Sequence, residues 1–441
     1  MKLSGWGNYP RLDVALHRFR GEDVLAGLIA GKPSMIARGN GRSYGDAALN
    51  PKATLSTLRH DRLLAFDPDT GRLRCEAGVM LSDLVDIFLP RGWFVPVTPG
   101  TRLVTIGGMI AADVHGKNHH LHGTFGRHVE SLRLMTGGGR VVNCSLSENP
   151  ALFRATIGGM GLTGVITEAT FRLMAVETAF IRQETLAAPD LDAVMAAFEE
   201  SAGWTYSVAW IDCLARGRHS GRALLYRGEH ARRDELPPAR QARSLAAPVH
   251  PRRRVPFALP DFTLNRLSVS AFNALYYHKG AAKRHAVIDA LTFFYPLDAI
   301  LDWNRIYGPS GFTQYQCVLP KPASRAGIGL LLERIAAAGS GSFLAVLKLF
   351  GRGDADGGIM SFPMEGYTLA LDFAASSRNF SLLTELDAIV RDHGGRIYLA
   401  KDARMGVDLL RRGYAEGLDA FLAERAAAQR FQSVLSQRLG L

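Results

Sequence analysis

Three stretches of the sequence combine glycine with residues able to hold an anion. The first, Ala37-Arg38-Gly39-Asn40-Gly41-Arg42-Ser43-Tyr44-Gly45-Asp46, places three glycines in seven positions. Glycine permits torsions that a side chain forbids, so successive N–H groups can face one way and form a nest for a diphosphate. Arg42 and Ser43 add a charge and a hydroxyl to such a nest. A glycine-rich turn without a ligand is the alternative. The second stretch runs from Thr98 to Asn118, where small residues at Gly107, Gly108, Ala111 and Ala112 let a flat or bulky group pack on the backbone. Five histidines (His115, His119, His120, His122, His128) crowd its end. No carboxylate or cysteine stands beside them at ligand spacing, so a polar loop with one histidine in an active site is expected rather than a metal centre. The third stretch contains a formal GxGxxG at 159–164. A dinucleotide-binding turn must follow a strand and open a helix, but the residues after Gly164, Val165 to Leu173, alternate as a strand does. A Rossmann NAD site is therefore excluded.

These loops need a scaffold to present them. Pro33-Ser34-Met35-Ile36 reads as the approach to a short strand ahead of the first loop. Residues 72–77 alternate as a strand, and Leu81, Leu84, Val85 and Phe88 recur at helical spacing, closed by Pro90 and Gly92. Residues 93–97 read as the next strand. From Met174 the character changes: a helical stripe at Leu191, Val194, Met195 and Phe198 precedes strands at 204–214 and 222–226. Residues 227 to about 280 are rich in Arg and Pro, including Pro251-Arg252-Arg253-Arg254, and read as a long mobile insertion over a binding cleft. It is either a disordered basic linker or a cationic lid that touches a lipid head group. Strands follow at 313–319, 343–350 and 367–373, with helices near 328–338 and along Leu382, Leu383, Leu386, Ile389 and Val390, capped by Gly394. Residues 419–435 read as one amphipathic helix that docks back on the first part of the chain. The pattern predicts an α+β class with two domains, 1–175 and 176–395, and a closing segment, 396–441.

At 441 residues, 47% hydrophobic and 21% charged, the composition is that of a soluble globular protein with more than one core. No apolar run is long enough to span a bilayer and no secretory signal is visible. The four cysteines (Cys75, Cys144, Cys213, Cys317) are far apart and read as reduced core thiols, so a cytoplasmic location is expected. Net charge +11 and a pI near 9.7 favour an acidic partner: a phosphorylated substrate, anionic lipid or, least of the three for want of any motif, nucleic acid.

Three glycine-rich loops between 37 and 166, followed by an antiparallel part, resemble the vanillyl-alcohol-oxidase or PCMH-type FAD-binding family. The first loop, His115-Gly116-Lys117-Asn118-His119-His120, Phe312-Thr313-Gln314-Tyr315-Gln316 and Lys348-Leu349-Phe350-Gly351 resemble, within it, the decaprenylphosphoryl-β-D-ribose 2′-oxidase family. Those flavoenzymes work with a short-chain reductase partner to epimerise polyprenyl-phosphate ribose to arabinose for the cell envelope. The resemblance runs from Gly5-Trp6-Gly7 to the C-terminal helix. It implies FAD along Ala37 to Ala47, Gly100, Thr105, Ile106, Gly107, Gly108, Ala112, Asp113, Val114, His115, Ile166 and Tyr398. It implies a substrate pocket of Tyr44, His115, Trp210, Gln314, Gln316, Lys348, Thr368, Ala370, Tyr398 and Lys401. Lysines suit a phosphate or a sugar hydroxyl, and two glutamines at alternate positions of one strand face one way. A surface ion pair of Lys401 with Asp402 and a merely polar strand face are the alternatives.

Covalent flavoproteins of this fold commonly carry a histidine where Arg42 stands, so the resemblance implies dissociable FAD. Ala370 replaces the cysteine that nitroaromatic inhibitors attack in mycobacterial members, and Thr368 replaces an asparagine. The activity implied is oxidation of a ribosyl C2 hydroxyl to a ketone, with Lys401, helped by His115 or Tyr44, withdrawing the proton and hydride passing to flavin N5. Peripheral contact with an anionic inner membrane would suit a lipid-borne phosphate. A soluble sugar or alditol oxidase using oxygen, and a flavin-binding scaffold without turnover, are the other readings.

Overall fold

The structure, a computed structural model, describes residues 1–441 apart from 249–250, 252, 261–262, 283 and 354–356. Near the N-terminus three short parallel strands stand in the order Leu16–Arg18, Thr54–Ser56, Ile36–Arg38. The helix Glu22–Ala30, with Leu25 and Ile29 buried, makes the crossover that parallel pairing requires. The first glycine-rich loop leaves the C-terminal end of Ile36–Arg38. A five-stranded antiparallel sheet follows, in the order Val141–Ser145, Val129–Met135, Val165–Arg172, Arg72–Glu76, Leu63–Asp67. Alternation in Arg72–Glu76 buries Leu73 and Cys75 and leaves Arg72 and Arg74 in solvent. The stripe of Leu81, Leu84, Val85 and Phe88 is the buried side of the helix Leu81–Phe88, and Gly92 ends its last turn at φ 81°. The strand expected at 93–97 is only Trp93–Phe94. Pro96 has no N–H for a ladder, and its carbonyl accepts instead from Asn118 Nδ2 at 2.8 Å.

The second half is built on an eight-stranded antiparallel sheet. Its order is His285–Asp289, Phe180–Ala188, Ala223–His230, Tyr206–Ile211, Ala345–Phe350, Gly366–Ala374, Phe312–Pro320, Arg396–Ile397. Helices Leu191–Glu200, Lys321–Ala338 and Ser377–Asp392 pack on one face. Lys321–Ala338 buries Ile328, Leu331, Leu332 and Ile335 there, and it begins seven residues before the expected start because the proline pair flanking Lys321 suits a helix's first turn. On the opposite face the helix Arg266–Ala281 sets Tyr276 against Trp210, ring centres 4.8 Å apart, and the short helix His119–His122 meets the strand Ala345–Phe350. Register puts Trp210, Val346, Ala370 and Gln316 in one row across that face and Lys348 and Thr368 in the next. Strands with flanking helices give the α+β class.

Two expectations need correction. Residues 227–230 are not part of an insertion but the end of the strand Ala223–His230, and 266–281 form a sixteen-residue helix, Arg266–Ala281. Asn265 caps it, accepting from the N–H groups of Leu267 and Ser268. Its buried side holds only Val269 and Asn273, so no apolar stripe announces it. Part of the arginine-rich run, at Arg252, lies outside the described residues. The closing helix expected at 419–435 is two helices, Ala415–Arg425 and Val434–Leu439. Between them Phe431 bridges Met35 in parallel and enters the core with Leu25 and Ile29, which forces an extended passage. Ser433 then caps the second helix. This passage ties the C-terminal segment to the strand that carries the first loop. No helix among the described residues is long and apolar enough to cross a membrane.

Candidate active site

A cavity of about 1020 Å³ separates the glycine-rich loops from that second face of the eight-stranded sheet. Gly39 to Tyr44 line it, and the main-chain N–H groups of Gly39 through Ser43 have no protein acceptor among the described residues. The loop is nonetheless fastened. Asn40 Nδ2 donates to Leu103 O at 2.8 Å, and the Tyr44 N–H donates to Ala400 O at 2.9 Å. The Arg42 guanidinium lies 4.3 Å from the centre of the Trp6 ring. Gly41 adopts φ 64°, which favours glycine, and a Cβ on Gly39 would collide with Thr105. At Gly100, by contrast, a Cβ would meet nothing within 4 Å. Five orphan donors held on a rigid loop, with open space facing Gly100, fit a diphosphate-bearing cofactor.

Across the cavity, Lys348 and Lys401 expose their side chains to it rather than to bulk water. Burial pulls both amines down to about 7. At Lys401, Asp372 opposes the shift and Lys348 adds to it. Neither amine has an ion pair among the described residues: Asp402, beside Lys401, is taken by Arg438 at 2.9 Å. The ion pair weighed for Lys401 is therefore not formed. Lys401 Nζ lies 3.7 Å from the Tyr44 ring centre.

His115 is buried against Phe350 and Tyr398, with ring centres 4.8 and 5.2 Å away. Gln316 Nε2 donates to His115 Nε2 at 3.0 Å and to the Thr368 hydroxyl at 3.3 Å, which leaves the imidazole proton on Nδ1. Burial, then the charges of Lys348, His119 and Lys401, hold this imidazole well below its usual range. Burial raises the Tyr44 phenol well above 10. At neutral pH, then, the His115 lone pair at Nε2 is engaged and Tyr44 keeps its proton, whereas an amine near 7 can take one. Trp210 donates from Nε1 to Phe343 O at 3.0 Å, and Tyr398 donates to Ala112 O at 2.8 Å.

Of the residues singled out in the sequence, six stand behind the cavity wall. Arg38 donates to Ser4 O at 2.7 Å, and Asp46 is ion-paired with Arg438 at 3.0 Å. Asp113 is fully buried and accepts from the Gly126 N–H at 2.9 Å and from Ser361. Ile106 is core, Gly45 is closed off by Asp402, and Thr368 donates to Cys317 O at 2.8 Å. The others line the cavity: Ala37, Ala47, Gly100, Thr105, Gly107, Gly108, Ala112, Val114, His115, Ile166, Trp210, Gln314, Gln316, Lys348, Ala370, Tyr398 and Lys401. Sequence reasoning missed Lys117, which donates to Phe293 O with its amine pulled to about 7 by burial. It also missed Phe272 and Tyr276 of the helix Arg266–Ala281, which line the mouth, and Met160, Gly161 and Gly164. Lys117 had a signal, its place within His115-Gly116-Lys117. The helix had none beyond its aromatic residues.

Residues 30–145 match the family model described as FAD binding domain. The solved structure of BBE-like 1 from Physcomitrella patens superposes with a TM-score of 0.66 over 95% of this chain and 89% of its own, at 15% identity, a likeness of fold. Loop, cavity and fold define an FAD-dependent oxidoreductase of the PCMH type. Decaprenylphosphoryl-β-D-ribose oxidase of Mycolicibacterium smegmatis is 35% identical over 452 residues, covering 100% of this chain and 97% of that one. An uncharacterised protein of Streptomyces coelicolor is 36% identical over 376 residues, 82% of this chain and 100% of its own. The chain belongs to the decaprenylphosphoryl-β-D-ribose oxidase family.

Proposed function

We propose that this chain oxidises the C2 hydroxyl of a polyprenylphosphoryl-β-D-ribose to the 2-keto sugar, the first half of epimerisation to the arabinose form. In this reading residues 1–175 hold the cofactor, 176–395 the substrate, and 396–441 close the site. Bound FAD supplies the two-electron acceptor for the C2 hydride, at its N5. The N–H groups of Gly39 to Ser43 hold its diphosphate, and Arg42, in place of a histidine, leaves the flavin dissociable. Gln314 and Gln316 orient the ribose, Lys348 faces the phosphate, and Lys401 takes the proton as the hydroxyl O–H bond breaks. The observation that carries this assignment is the Lys401 amine, pulled to about 7 by burial and without an ion pair among the described residues. His115 and Tyr44 position rather than deprotonate: the first has its Nε2 engaged by Gln316, the second a phenol raised well above 10.

A short-chain reductase partner then returns hydride to the ketone from the other face. The substrate's lipid and the chain's +11 charge support a peripheral contact of the working protein with an anionic membrane surface. The test is an anaerobic absorbance titration of the FAD-loaded protein with a short-chain polyprenylphosphoryl ribose. The flavin band should bleach, and Lys401→Ala should keep FAD yet stay yellow. A band that persists in the wild-type protein overturns the proposal; peroxide formed from free polyols would then favour a soluble oxidase.

A further inference from the structure

The helix Arg266–Ala281 turns most of its large apolar residues away from the core. Its buried residues are Val269 and Asn273. Asn273 Nδ2 donates to Asp212 Oδ1 at 2.7 Å, and Asp212 is itself paired with Arg222 at 2.8 Å. This polar anchor, rather than an apolar stripe, seats the helix on the sheet. Phe272 and Tyr276, one turn apart on one side of the helix, stay exposed and line the cavity mouth. The Phe272 ring stands 5.7 Å from that of Tyr276 and 5.8 Å from that of Phe343, and Tyr276 stands 4.8 Å from Trp210. The polar atoms of these rings are engaged within the protein. Trp210 Nε1 donates to Phe343 O at 3.0 Å, and the Tyr276 hydroxyl accepts from that of Tyr226 at 3.1 Å. What the rings present to the cavity is apolar surface, whose exposure to water is unfavourable.

The strand Ala345–Phe350 continues this surface. Ala345, Leu347 and Leu349 are core, and the alternate residues face the cavity. Leu344, Val346 and Lys348 therefore lead from the mouth to an amine, with roughly 7 Å between neighbours and Trp210 in register beside Val346. A cation at one end and aromatic rings at the other suit an amphiphile with a phosphate head and a hydrocarbon tail. The helix adds Arg266 and Lys279 but no carboxylate, so an anionic ligand meets no repulsion from it. We infer that Trp210, Phe272, Tyr276, Phe343, Leu344 and Val346 form a vestibule that takes the first isoprene units of a polyprenyl chain whose phosphate lies against Lys348. The inference rests on the polyprenyl phosphate of the function proposed above and adds where its tail lies. Leu267 and Leu275, on the outer side of the same helix, do not line the cavity and stand outside the vestibule. Each five-carbon unit buried there should tighten binding about tenfold, because its transfer out of water outweighs the ordering of the chain.

The test is a calorimetric titration of the FAD-loaded protein with inorganic phosphate, dimethylallyl phosphate, geranyl phosphate and farnesyl phosphate, which carry no sugar to oxidise. Affinity should rise about tenfold with each added unit until the chain leaves the vestibule. Phe272→Ala with Tyr276→Ala should weaken geranyl phosphate about tenfold and leave inorganic phosphate unchanged. Val346→Asn, away from the helix, should give the same loss should the double variant fail to hold FAD. Leu267→Glu with Leu275→Glu should leave geranyl phosphate unchanged, which separates the vestibule from contact with a membrane. An affinity independent of chain length overturns the inference, as does wild-type affinity for geranyl phosphate in both vestibule variants. A steep series in a protein whose flavin never bleaches with polyprenylphosphoryl ribose upholds the vestibule and defeats the sugar assignment instead. Bleaching with a flat series leaves the proposed function standing and overturns the vestibule.

Discussion

Binding of the substrate's phosphate should consume protons. Burial holds the amines of Lys348 and Lys401 at about 7. At about pH 8 only roughly a tenth of each is therefore charged in the free protein. A phosphate anion favours the ammonium form, and if contact restores an ordinary lysine, Lys348, which faces the phosphate, takes up roughly 0.9 proton. The sign follows from the direction of the shift: the free site is proton-poor above about pH 7 and the complex is proton-rich. Affinity should then fall about tenfold per pH increment above neutrality. Below about pH 6 both amines are already charged and the uptake vanishes. The assay is calorimetric titration with a non-oxidisable polyprenylphosphoryl pentose in buffers of different ionisation enthalpy, where the slope of heat against buffer enthalpy counts protons. Lys348→Met should remove most of the slope. A slope of zero near pH 8 in the wild-type protein would refute the reasoning.

The C-terminal helix is held to the cofactor loop by Arg438, which pairs with Asp46 at 3.0 Å and Asp402 at 2.9 Å, two carboxylates almost fully buried. Arg438→Ala should cost about 3–5 kcal/mol in urea unfolding near neutrality, with less loss at lower pH because the stranded Asp46 carboxyl, raised by burial, then gains a proton in the folded state; a cost under about 1 kcal/mol would contradict a buried triad. At the cavity mouth the helix Arg266–Ala281 exposes Leu267 (82%) and Leu275 (68%). Flotation should show the protein rising with anionic vesicles at low salt and less at high salt, and Leu267→Glu with Leu275→Glu should weaken it; no flotation at low salt removes the membrane from the proposal.

The first loop was legible because its chemistry is local. Closely spaced glycines dictate torsions within a few residues, and the strand before it follows from Ile36 and its neighbours. The rejection of a Rossmann turn at 159–164 was local too, since Val165–Arg172 is visibly a strand. The helix Arg266–Ala281 was not legible, because its exposed face is as apolar as its buried one. The break between Ala415–Arg425 and Val434–Leu439 was hidden for another reason: Phe431 leaves the helix to meet Met35, almost four hundred positions away in sequence.

The sequence by itself determined the glycine-rich loop, the α+β alternation and the placing of Gln314 and Gln316 on one strand face. Tertiary structure decided which of the remaining polar residues face the cavity. Register across the eight-stranded sheet sets Gln314 against Asp372 and Lys348 against Thr368. Closure of residues 396–441 brings Lys401 over Tyr44, while Arg438 takes Asp402 away from it. A lysine's charge state depends on the water and the carboxylates around it, and those are supplied by strands distant in sequence.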